Sequence, residues 1–193
     1  MSVSPESHEA AHLIDRLERL ARAGEQVGRL NPAQWEALRY LARANRFSRT
    51  PAALADYLAS TRGTISRTLA SLESKGYVAR EDSARDGRSV EFGLTDNGSK
   101  ALQRDPLLAM AKDIEQATGG DSRTLLDSLR QTLRNAIARN RGRAFGACYT
   151  CCHFRSDVRP STRTPHHCGL LDEPLSEADS RAICAEQESA IAP

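Results

Sequence analysis

All five cysteines of this 193-residue chain lie beyond Arg143: Cys148, Cys151, Cys152, Cys168 and Cys184. Two residues separate Cys148 from Cys151, a spacing at which a tight turn aims two thiolates at one ion. Sixteen residues then lead to Cys168, and fifteen more to Cys184. The four together supply the tetrahedral all-sulfur set that holds zinc. An iron–sulfur cluster uses the same four thiolates, so spacing leaves both open. Cys152 can replace Cys151, and His153, His166 or His167 can displace a cysteine. Unligated thiols, forming sensing disulfides or buried as small apolar groups, are a third reading. Cys148–Cys151 also has the spacing of a thiol oxidoreductase motif. That chemistry needs the motif at a helix start after a strand, whereas here it leaves a helical pattern for a loop. Thiol oxidoreduction is therefore the remote alternative. The acidic residues are scattered over helix faces, and the histidines fall in the N-terminal helix or the tail. The chain does not read as an enzyme.

A second group of reactive surfaces lies between Thr50 and Leu94. In the run from Ser60 to Gly76, Ile65, Leu69 and Leu72 recur at helical spacing and mark a core face. The opposite face begins with Arg62, Gly63, Thr64, Ser66 and Arg67: two cations, two short hydroxyls and a glycine. Such a helix start can approach a duplex closely, with arginine reaching guanine edges or phosphates. Ser60 or Thr61 caps the start, and Gly76 closes the end. A shorter helix, Pro51 to Leu58, precedes it after a tight link, with Pro51 in the first turn. Two strands follow, Tyr77–Arg80 and Ser89–Leu94, joined by a hairpin whose Asp86-Gly87 tip accepts a positive φ cheaply. Arg85 and Arg88 flank that tip and can enter a minor groove, with Asp86 placed to orient one of them. Helix, turn, helix and hairpin in this order predict a winged helix-turn-helix that binds double-stranded DNA.

The run from Thr61 through Lys75-Gly76-Tyr77-Val78-Ala79-Arg80, the wing Arg85-Asp86-Gly87-Arg88 and the exit Leu94-Thr95-Asp96-Asn97-Gly98 resemble the MarR family of dimeric bacterial transcription regulators. The resemblance spans about Leu13 to Arg139. It implies that Arg88 is the wing-tip arginine with Asp86 its partner, that the protein is a homodimer, and that a small-molecule effector binds between the dimer frame and the reading head. It says nothing of the tail after about Gly142.

The surrounding elements supply a frame. Leu13, Leu17 and Leu20 make one stripe of a helix from His8 to Ala23. Trp35, Leu38 and Leu41 face inward on a helix from Pro32 to Arg46. Asn97 to about Ala117 is helical with an interruption at Pro106. Leu125, Leu126, Leu129, Leu133 and Ile137 stripe a helix from Ser122 to Arg141, and the basic run Arg139 to Arg143 suits its C-terminal end. A twofold dimer would bury these stripes and set two reading helices about one DNA turn apart on a pseudo-palindromic operator. Repression is the expected mode; the alternative is that the tail is a metal-, iron–sulfur- or thiol-based redox sensor that controls DNA binding by shifting the spacing of the reading helices.

The predicted fold is thus mainly α with a small β wing, dimerised through N- and C-terminal helices. Its parts are an N-terminal dimerisation helix (1–30), a winged helix DNA-binding domain (31–96), C-terminal dimerisation helices (97–143) and a cysteine-rich metal-binding extension (144–193). In the extension, Ser176 to about Glu188 can form a helix capped by Ser176 with Asp179 reaching back, and Arg155 to Pro165 reads as loop. About fifty residues bury too little apolar area to fold alone, so docking on the dimer or a metal is required.

Net charge is only +2, and between Ser60 and Leu94 six basic residues meet five acidic ones. The argument for DNA therefore rests on where the arginines sit, not on bulk charge. No stretch reaches the apolar length of a membrane span, and the N-terminus lacks a secretion profile. A cytoplasmic location is expected, where clustered cysteines favour metal or redox chemistry over structural disulfides.

Overall fold

The computed structural model describes residues 3–25, 30–82, 90–140 and 142–189. Arg85, Asp86, Arg88 and Arg141 lie outside the described residues. The chain runs α1 (Pro5–Glu25), α2 (Pro32–Arg43), a 3-10 turn (Arg46–Ser48), α3 (Pro51–Tyr57), α4 (Arg62–Ser74), β1 (Val78–Asp82), β2 (Val90–Leu94), α5 (Asp96–Leu102), α6 (Leu107–Ala117) and α7 (Arg123–Arg139). The tail adds β3 (Gly146–Ala147), a 3-10 turn (Cys148–Thr150), β4 (Phe154–Arg155), β5 (His166–Cys168), β6 (Glu173–Leu175), α8 (Glu177–Arg181) and β7 (Ile183–Cys184). The architecture is a mainly helical winged helix-turn-helix with small antiparallel sheets.

The head forms around α2, α3, α4 and the wing strands. Leu38, Leu41, Leu54, Ile65, Leu69, Leu72, Val78 and Phe92 are buried together. Asn31 and Gln34 cap α2 reciprocally, and the Gln34 amide then donates to Ser71 Oγ on α4 at 2.9 Å. One buried glutamine thus closes a helix end and ties two helices. β1 and β2 pair antiparallel from Val78–Leu94 to Asp82–Val90. Gly76 turns into β1 at φ +73°, where a side chain would be strained. Gly98 packs so closely that a Cβ there would lie 2.2 Å from the Tyr77 carbonyl oxygen, so only glycine lets α5 start against the wing.

One expected break is present, and two expected elements end differently. Pro106 divides the Asn97–Ala117 pattern into α5 and α6, and the Arg39–Asp105 pair, with Nε to Oδ2 at 2.8 Å, fastens the break to α2. α2 stops at Arg43, short of Arg46, because Ala44 and Asn45 turn to meet the tail. The capped helix after Ser176 keeps its Ser176–Asp179 box but ends at Arg181, because Ile183–Cys184 is a strand paired with Gly146–Ala147.

The tail docks on the head of its own chain. Ile183 and Ala185 belong to the head's buried cluster. Asn45 N–H donates to the Ile183 carbonyl at 2.8 Å, and Ala185 N–H to Ser48 Oγ at 2.8 Å. Phe145 stands edge-on to Tyr57, with ring centroids 5.2 Å apart. Arg46 pairs with Asp179 at 2.5 Å and donates to the Pro174 carbonyl. Removing the buried Ile183 side chain should therefore destabilise the head itself. Ile183→Ala is expected to cost about 2–4 kcal/mol in one cooperative transition. Equilibrium urea unfolding followed through Trp35 checks this, and a change under about 0.5 kcal/mol would show two independent units.

Candidate nucleic-acid interface and metal centre

Thr61 caps α4 by accepting from Thr64 N–H at 3.1 Å. The cap orients the first turn, and the apolar stripe Ile65, Leu69 and Leu72 locks the helix onto the head. Arg62, Gly63, Thr64, Ser66 and Arg67 are consequently all exposed on one side. A Cβ added at Gly63 would meet no atom of the chain within 4 Å, so packing within the chain does not demand glycine there. The helix start offers cations, hydroxyls and main-chain N–H groups to a polyanion, and none of the described residues of the head covers it. The wing strands β1 and β2 lead away from the same head, with Arg80 stacked over Phe92 at 5.7 Å. Arg85, Asp86 and Arg88, expected from the sequence to form the wing tip, lie outside the described residues.

In the tail, Cys148, Cys151, Cys168 and Cys184 line one small gap of about 10 Å³, walled by Phe154, Leu170, Leu175 and Glu186. Four elements bring them there: the 3-10 turn carries Cys148 and leads to Cys151, β5 carries Cys168, and β7 carries Cys184. Cys148 and Cys184 are buried. The Cys148 thiol donates to Cys184, which raises Cys148 and draws Cys184 down to about 6, helped by Glu186 N–H, Asn45 and Ser48. A gap of this size has room for about one water-sized body.

Cys152 does not line the gap. It is exposed, 3.8 Å from Glu188 Oε2, and His153 Nε2 is 3.1 Å from the same oxygen. These three are a separate surface group with ligand atoms all within 4.8 Å of one another. Glu188 carried no signal in the sequence; it comes into reach because Cys152 N–H bonds to its carbonyl at 2.9 Å. His166 and His167 also point elsewhere. His166 pairs with Glu177 at 2.7 Å and His167 with Asp172 at 3.3 Å, and both line a different hollow beside Arg155 and Arg159. Asn45 and Ser48, the head residues beside the thiols, are ordinary loop residues in the sequence and only the docking of the tail reveals them.

The family model described as MarR family matches residues 30–89. A comparison with curated proteins finds no match. Among solved structures, the chain is similar to a MarR transcriptional regulator from Methanosarcina mazei Go1, at 22% identity and TM-score 0.55 over 70% of this chain and 99% of that one. It is similar to Streptococcus pneumoniae FabT in complex with DNA, at 20% identity and TM-score 0.54 over 70% of this chain and 94% of the other. The Staphylococcus aureus MepR–DNA complex follows at 21% identity and TM-score 0.52, covering 71% of this chain and 99% of that one. At these identities the likeness is one of fold. Among the described residues no helix is long and apolar enough to cross a membrane.

Exposure orders the thiols by access. Brief alkylation of the metal-free native protein should label Cys152 first and leave Cys148 and Cys184 for last. Peptide mass spectrometry reads the order, and equal labelling of all five would contradict the buried pair.

Proposed function

We propose that this chain, whose residues 30–89 match the MarR family model, is a homodimeric, sequence-specific DNA-binding repressor whose tail holds a metal ion. The observation that carries the DNA reading is α4: its apolar face is locked into the head while Arg62, Gly63, Thr64, Ser66 and Arg67 stand exposed together. In this reading α4 enters the major groove and the arginines Arg85 and Arg88 of the wing reach the minor groove. The fold shared with FabT and MepR, both solved with DNA, supports the same use of the head. The reading is of a regulator and not of an enzyme.

The dimer reading rests on unpartnered apolar faces. α6 and α7 bury no residue, yet Leu125, Leu126, Leu129 and Leu133 are all exposed, as are Leu13, Leu17 and Leu20 of α1. Stripes of this extent on three helices call for a cover, and a second copy supplies one with the twofold symmetry of a palindromic site.

The metal reading rests on four thiols around one ion-sized gap. A bound ion would be held by Cys148, Cys151, Cys168 and Cys184, and would supply the cross-link that a tail of this size needs in order to stay folded. Zinc is the ion proposed for the all-sulfur set, with an iron–sulfur cluster as the alternative. A tetrahedral zinc site sets its sulfurs about 3.8 Å apart; no three of the four thiols lie within 4.8 Å of one another here, so they would have to draw together on binding.

Selection from a random duplex pool should return an inverted repeat with half-sites about one helical turn apart. Arg67→Ala should then weaken binding by about 1–3 kcal/mol. Gly63→Ala should leave thermal stability unchanged or raised while weakening DNA binding, and a pool with no enriched sequence would overturn the reading. Leu129→Glu with Leu17→Glu should give a monomer in sedimentation and reduce binding to that of one half-site. Elemental analysis of protein purified without oxygen should find about one zinc per chain, lost in Cys151→Ser and kept in Cys152→Ser. Loss in Cys152→Ser alone would move the ion to the surface group with His153 and Glu188.

A further inference from the structure

The four thiols belong to the tail, but two of their polar neighbours, Asn45 and Ser48, belong to the head. Asn45 is 1% exposed. Its Nδ2 donates to Cys148 Sγ at 3.3 Å and its main-chain N–H to the Ile183 carbonyl at 2.8 Å. Its Oδ1 is buried with no partner among the described residues. An orphan acceptor in a buried amide is costly, and a metal-bound sulfur would strengthen the hydrogen bond at the amide's other end. Ser48, also 1% exposed, accepts from Ala185 N–H at 2.8 Å through its hydroxyl oxygen, which leaves its O–H free to donate beside Cys184, the residue before Ala185. A metal-bound thiolate accepts hydrogen bonds and donates none, so both head donors are matched to the filled site.

These two residues sit in a corner fastened on three sides. Ala44 bridges Ile183. The Arg49 carbonyl accepts from Phe92 N–H of wing strand β2 at 2.9 Å, and Arg49 Nε donates to the Ala44 carbonyl at 3.1 Å. Thr50, the next residue, caps α3 through Ala53 N–H at 3.2 Å. The corner therefore touches the tail, the root of the wing and the start of the helix-turn-helix.

Resting on the metal reading above, we propose that the site is completed by the head, with Asn45 and Ser48 as positioning residues that hold the metal-bound sulfurs, so that metal occupancy clamps the tail to the Ala44–Arg49 corner and strengthens DNA binding. The route runs through the corner to the wing and α3, and needs no movement of the dimer helices. Its sign follows from preorganisation: an unclamped corner leaves the wing root and α3 free to shift, and that freedom has to be lost on binding DNA.

The test uses the full-length protein, zinc as the probe and the duplex selected above. Wild type, Asn45→Leu and Ser48→Ala are compared with zinc content measured, filled and after chelation, by fluorescence anisotropy and by hydrogen exchange of residues 142–189. Removing zinc from wild type should weaken DNA binding roughly tenfold, within the usual range of a coupling between sites, and should expose the amides of Ile183 and Ala185. Asn45→Leu should loosen zinc by about 10–100-fold and, with zinc at saturation, should shrink the tenfold difference to under about twofold. Ser48→Ala should shrink it partway, and carries the test if Asn45→Leu does not fold. Zinc-dependent DNA binding that is as large in both variants as in wild type would overturn the proposal, as would a zinc-filled wild type that binds DNA no differently from the stripped protein. A wild type that takes up no zinc would overturn the metal reading beneath it, and zinc content distinguishes this from the other failures.

Discussion

The main-chain bond from Asn45 N–H to the Ile183 carbonyl, 2.8 Å long, joins two parts of the chain that are 138 residues apart in numbering. It ends α2, because a residue that gives its N–H to the tail cannot continue the helix. It seats Ile183 and Ala185 in the same buried cluster as Leu38, Leu54 and Leu69. It also brings Cys184 and Cys148 against Asn45 and Ser48. The reading head and the sulfur cluster thus share one corner, and neither is complete without it.

Burying sulfur beside a core has an electrostatic consequence. A thiolate away from water needs donors or a cation. Cys184 finds Glu186 N–H, Asn45 and Ser48 on one side and the Cys148 proton on the other. Acidic neighbours sit close by, but Glu186 is paired with Arg143 at 3.2 Å, so its charge is partly spent before it reaches the sulfurs. The exposed trio of Cys152, His153 and Glu188 works under the opposite condition, in water, where carboxylate and imidazole already satisfy each other at 3.1 Å.

The helices outside the head obey a different constraint. α1, α6 and α7 are amphipathic, yet their apolar stripes remain open in a single chain. The head does not need them for its own core, and the tail does not cover them. Their length and spacing make sense as a frame between two heads, in which case the distance between the two α4 helices is set by the frame while the seat of each α4 is set by its own corner. Control of DNA binding can then act at either place, and the tail is attached at the second.

Local chemistry made much of this legible from the residues in order. Ile65, Leu69 and Leu72 at helical spacing, Thr61 as cap, Gly76 in its left-handed turn, the break at Pro106 and the Ser176–Asp179 capping box each depend on atoms within a few residues, and periodicity or cap geometry reports them directly. The turn holding Cys148 and Cys151 is local in the same sense. What only the tertiary structure decided is everything that depends on distance through space. The early end of α2 and of α8, the gathering of Cys168 and Cys184 around that turn, the placing of Cys151 rather than Cys152 at the gap, and the arrival of Asn45, Ser48 and Glu188 as neighbours of sulfur all follow from the tail docking on the head. That docking is driven by a handful of apolar side chains, chiefly Phe145, Ile183 and Ala185, and by hydrogen bonds between main-chain groups that every residue carries alike. Such bonds leave no mark in the order of residues, because the backbone that makes them is the same whatever the side chain.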